Sequence, residues 1–84
     1  MDHTLVQKYV KEYTQEALEI SDGQIPQAAD YLLNKRKPGF FAAHRKEKRV
    51  ALRRVRKVFD SSRSRSVWIV LKSLGLDDLA RDAL

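Results

Sequence analysis

Apolar residues return every three or four positions along most of this chain, which is the period of a helix packed on one side. Leu5, Val6, Tyr9, Val10, Tyr13, Ala17 and Ile20 make the first such stripe and predict a helix from about Thr4, taken as its N-cap, to about Ile20. Ser21-Asp22-Gly23 closes it with turn chemistry and a residue free to take positive φ. Ile25, Ala28, Ala29, Leu32 and Leu33 form the next apolar face, and Pro26 suits its first turn because the missing N–H is not needed there. Pro38-Gly39 breaks the chain, and a third helix is predicted over 40–59. A fourth follows over about 66–74 and stops at Gly75. A last short helix, opened by Asp77 and Asp78, carries Leu76, Leu79, Ala80 and Ala83. No period-two alternation lasts long enough for a strand. The fold class is therefore all-α, a bundle of four to five helices, and 84 residues are expected to form a single domain over 1–84.

The third helix is unlike the others. On a wheel of about 100° per residue, Phe40, Phe41, His44, Ala51, Leu52, Val55, Val58 and Phe59 share one arc. Arg45, Lys46, Arg49, Arg53, Arg54, Arg56 and Lys57 share the opposite one. Lys48 is the exception within the apolar arc and Val50 the exception within the basic one. The segment is a basic amphipathic helix, with one side for a core and the other for something anionic. A merely solvated face would alternate Glu with Lys at i,i+4. Here Arg45/Arg49, Arg49/Arg53 and Arg53/Lys57 are like charges that repel by a few tenths of a kcal/mol each.

Composition sharpens this. The net charge of +6 is unevenly spread: residues 35–65 hold thirteen Lys and Arg against two acids, +11, and the rest hold four against nine, −5. Segregation on this scale implies a directional field and a negatively charged partner. Five of the eight Lys and Arg over 44–59 are Arg, whose fork suits phosphate. DNA or RNA is the partner this favours, held mainly through phosphates by Arg45, Lys46, Arg49, Arg53, Arg54, Arg56 and Lys57. Lys35, Arg36, Lys37, Arg63 and Arg65 extend the footprint at the two ends. The spacing does not match a helix-turn-helix reader, and there is no zinc-ligand set or glycine-rich phosphate loop. Phe40 and Phe41 suit the core better than base stacking.

The other features exclude more than they suggest. There is no cysteine, so neither a disulfide nor a thiolate-bound metal is expected, which fits a reducing compartment. The longest apolar run, Val67 to Leu71, is five residues, far short of the roughly 18 that a membrane span needs. The first ten residues do not resemble a secretory signal. The expectation is a soluble intracellular protein, cytoplasmic or in the nucleoid or nucleus. His3 and His44 are the only imidazoles, and they assemble with no acid into a catalytic pair. Asp77, Asp78 and Asp82 are explained by the start of a helix rather than by a cation. No enzyme, cofactor or metal is expected.

Residues 17–33, "ALEISDGQIPQAADYLL", carry a further pattern: Ala17-Leu18, a polar turn at Asp22-Gly23, then Ile25, Ala28 and Tyr31-Leu32. This resembles the second and third helices of ubiquitin-associated (UBA-like) domains, a unit also found at the amino end of a bacterial elongation factor. The loop that ubiquitin-binding members use is replaced here by "YVKEYTQE", which reads as continuous helix. The resemblance implies a compact helical packing unit and not ubiquitin binding. Val67-Trp68-Ile69-Val70-Leu71 is the remaining informative stretch, because five apolar residues wrap most of a helix. Such a helix is either central to the monomer or shared with another chain. Val67, Trp68, Val70 and Leu71 are then the interface of a homodimer or of a small adaptor or inhibitor on an apolar partner surface, with the basic face as the alternative surface for an acidic protein. Ser61 to Ser66 reads as a polar linker, open to phosphorylation in a eukaryotic cell.

Overall fold

The computed structural model describes residues 1–34 and 43–83. Helix α1 spans His3–Ile20 and is opened by Asp2, whose carboxylate accepts the Leu5 N–H at 3.1 Å. The cap is thus Asp2 rather than Thr4, and it satisfies one of the N–H groups that every helix start leaves unpaired. Val6, Val10, Tyr13 and Ala17 are buried on its inner face. Thr14 is buried beside them because its hydroxyl donates to the Val10 carbonyl at 2.7 Å. The chain then reverses through two left-handed residues, Asp22 at φ 58° and Gly23 at φ 76°, with the Gly23 N–H donating to the Leu18 carbonyl at 2.8 Å. Helix α2 spans Ile25–Leu33, has Pro26 in its first turn, and buries Ile25, Ala28, Ala29 and Leu32.

Helix α3 spans Arg45–Ser61. Its start corrects the 40–59 expectation: His44 is left-handed at φ 53° and stands as the N-cap, so the helix begins after it. The His44 carbonyl instead begins the ladder by accepting the Lys48 N–H at 2.9 Å. Phe40 and Phe41, read as core, lie outside the described residues. Helix α4 spans Val67–Ser73, with the Ser66 hydroxyl accepting the Ile69 N–H at 3.4 Å. Gly75, at φ 74°, turns the chain into α5, Asp77–Asp82, which has Asp77 and Asp78 in its first turn.

All five helices contribute to one apolar core. Helix α3 lies against both α1 and α2, and α4 pairs with α5. Val55 and Phe59 of α3 are completely buried, as are Val10 of α1 and Val70 of α4. Burying a side chain such as Phe59 removes about 1.5–3 kcal/mol of apolar exposure, which holds α3 in place despite its like charges. Ala17, Ile25, Ala28 and Leu32, on either side of the α1–α2 turn, are in that core.

The four interface candidates on α4 divide. Val70 and Leu71, expected at an interface, are 0% and 3% exposed within the single chain, so they belong to its own core. Val67 packs partly buried against that core, and Trp68 remains 38% exposed. No helix among the described residues is long and apolar enough to cross a membrane.

Candidate nucleic-acid interface

The residues of α3 sort by side. Ala51, Leu52, Val55 and Phe59 face the core. Arg45, Lys46, Arg49, Arg53, Arg54 and Lys57 are exposed, and Arg56, on the border, is half-buried. Seventeen residues give α3 a length of about 25 Å. Arg45, Lys46, Arg53, Arg54, Arg56 and Lys57 have no carboxylate partner among the described residues. The one acid in the first turn, Glu47, accepts its own backbone N–H and that of Asp2, the latter at 3.3 Å, and these bonds hold its carboxyl below the usual carboxylate range. It is therefore spent on backbone rather than on the neighbouring cations.

Both exceptions on the wheel have partners on other elements. Lys48 turns away from the basic side and places its Nζ 5.4 Å from the centroid of Tyr9 on α1. Tyr9 in turn stacks on Tyr13 at 5.9 Å and meets the His44 ring at 6.2 Å. Burial, followed by the Tyr9 neighbour, pushes the Tyr13 hydroxyl well above the usual phenol range. Val50 is packed partly against the core instead of standing out among the arginines.

The flanking cations are placed differently from those of α3. Arg63 reaches Asp30 on α2 at 2.6 Å and Asp60 on α3 at 3.3 Å, and these carboxylates raise its pKa, Asp30 more than Asp60. It is an internal strap between two helix ends. Arg65 is exposed and forms part of the turn, its N–H donating to the Ser62 carbonyl at 2.8 Å. Lys35, Arg36 and Lys37 lie outside the described residues. On the α4–α5 side, Lys72 pairs with Asp77 at 3.3 Å and also lies over the Trp68 ring, while Arg81 pairs with Asp78. His3 and His44 are both exposed, as is Asp82.

The basic surface is not uniformly convex. One hollow is lined by Leu33, Arg53, Arg56, Lys57 and Asp60, and an adjoining one by Arg49, Leu52, Arg53 and Arg56. Arg53 and Arg56 line both hollows. The apolar side that Leu33 gives the first was missed in the sequence, where it counts as a core residue. It is in fact 38% exposed, at the last turn of a short helix. No family model, curated protein or solved structure matches the chain.

Proposed function

We propose that this is a nucleic-acid-binding protein that holds DNA or RNA by its phosphates along the outer side of α3, as a regulatory or accessory factor without catalysis. One observation supports the reading above the others: six cations on one side of one helix have no acidic partner among the described residues, although the chain pairs Arg63, Lys72 and Arg81 elsewhere. Guanidinium and ammonium groups left open in this way form strong, charge-assisted hydrogen bonds to phosphate oxygens. Each phosphate neutralised also releases condensed counterions, which drives binding at low salt. Arg45, Lys46, Arg49, Arg53, Arg54, Arg56 and Lys57 are the contacts, and Arg65 is positioned to extend them past the end of α3. The major groove, about 12 Å wide, admits a helix, and the arginine forks that suit phosphate also suit guanine edges.

Fluorescence anisotropy with labelled duplex DNA, single-stranded DNA and RNA, titrated over a range of salt, tests this. The expected result is a log–log salt dependence with a slope implying several phosphates. Arg49→Glu combined with Arg53→Glu should abolish binding with the helical signal unchanged. Absence of binding at low salt would remove the proposal. A second reading, a protein-interaction module, rests on the exposure of Trp68 beside Lys72. In that reading the basic face meets an acidic protein, or Trp68 anchors on an apolar groove or a second copy of the chain. Trp68→Ala would then lose the partner while the chain stays folded.

A further inference from the structure

Building on the proposed nucleic-acid reading, we infer that the strand held along α3 is single-stranded, with one unpaired base laid against Leu33. The place for it is the open hollow lined by Leu33, Arg53, Arg56, Lys57 and Asp60. A single exposed leucine means little by itself. Leu33, 38% exposed at the last turn of α2, shares its hollow with three cations of α3, and that combination decides the ligand. A phosphate alone gains from the cations but loses water against an apolar wall. A nucleotide whose base is free uses both. Its phosphates meet Arg53 and Lys57, which stand one turn apart, about 6 Å along the axis. The face of its base lies against Leu33, where a guanidinium plane can cover it from the other side. In a duplex the base faces are stacked on one another and only backbone and groove edges reach a protein, so Leu33 would have nothing to cover.

Two comparisons within the molecule support this choice of place. The neighbouring hollow, lined by Arg49, Leu52, Arg53 and Arg56, has no such wall, because Leu52 is only 7% exposed. Trp68 is the more obvious side chain for stacking, but Lys72 lies over its ring. Its hollow also holds Asp77, Asp78 and Arg81, and the two cations there are already paired with the two acids. A strand would find no open charge at Trp68 to hold its phosphates. At Leu33 the one acid on the rim, Asp60, accepts from Arg63 at 3.3 Å, while Arg53 and Lys57 have no carboxylate partner among the described residues. Apolar surface and open positive charge therefore coincide at Leu33.

The test compares four labelled probes of equal length in anisotropy with the full chain: single-stranded DNA, single-stranded RNA, duplex DNA, and an abasic deoxyribose-phosphate strand. The single strands should bind more tightly than the abasic strand, which keeps the phosphates and should show a similar salt slope. Leu33→Ser should weaken single-strand binding roughly fivefold, the scale of one lost apolar contact, and leave abasic and duplex binding unchanged. Leu33→Met, which keeps the apolar wall, should bind single strands like the parent chain. If Leu33→Ser lost its helical signal, the abasic comparison and Leu33→Met would still decide. Equal binding of abasic and base-bearing strands, duplex binding as tight as single-strand binding, or an equal loss on all probes in Leu33→Ser would overturn the base contact. The nucleic-acid reading would survive each of these. Absence of binding to all four probes at low salt would remove both.

Discussion

Arg53 on α3 and Arg81 on α5 are the same residue, exposed on helices of one small chain, yet their surroundings are opposite. Arg81 sits three residues after Asp78 and pairs with it, in the last turn of its helix. Arg53 has Arg49 four residues before it and Lys57 four residues after, and no carboxylate partner among the described residues. One surface is arranged for the stability of the chain itself. The other gives up a little stability for unpaired charge, which the proposed reading assigns to phosphate.

The contrast is tested most severely by Arg53→Glu. Removing one phosphate contact costs about 0.9 log units of affinity at 0.1 M salt, so nucleic-acid binding should fall about tenfold or more, with a shallower salt slope. The same variant should become more stable. Repulsion with Arg49 and Lys57 turns into two attractive i,i+4 pairs, together worth about 0.5–1 kcal/mol in urea unfolding. A loss of stability would mean that Arg53 is held by something other than its charged neighbours. Arg81→Glu is the mirror experiment. It breaks the pair with Asp78 and adds a fourth acid near Asp77, Asp78 and Asp82. Stability should fall by no more than about 0.5 kcal/mol, because the pair is exposed, and binding should not change. If binding weakened as much as in Arg53→Glu, the basic surface would act only as total charge.

The smallest effect lies at the amino end of α3. The Glu47 carboxyl has its folded-state pKa lowered by backbone N–H donors. Its contribution is therefore present above the unfolded pKa and fades as pH falls through the folded one. Glu47→Gln should lower the melting temperature slightly at neutral pH, and the difference should vanish in acid. A constant difference across pH would show that packing, not ionisation, is what Glu47 provides.

How much of this was legible depends on the range of each interaction. The inner face of α3 follows from the wheel, and Ala51, Val55 and Phe59 are buried where the three-and-four spacing puts them. The start of α3 was not legible, because a left-handed residue at position 44 announces itself by Gly or Asn far more often than by His. The behaviour of Lys48 was hidden for another reason: its partner, Tyr9, lies on a different helix, and a wheel knows only its own. The same holds for Arg63, which looks like an extension of the basic run and instead reaches back 33 positions to Asp30. Within α4, five consecutive apolar residues could not be divided by periodicity. Only the packed chain shows Val70 and Leu71 turned inward and Trp68 left at the surface.

The strap formed by Arg63 also bears on how a polyanion arrives. Near the carboxyl end of α3, Arg63 mutes Asp30 and Asp60. The positive charge of Arg53, Arg54, Arg56 and Lys57 is therefore kept up to that end of the helix. Under the proposed reading, a charged strand at a distance is drawn to this side of the molecule before any contact forms. The gain is in the encounter rate, in a greater share of collisions that arrive on the basic side.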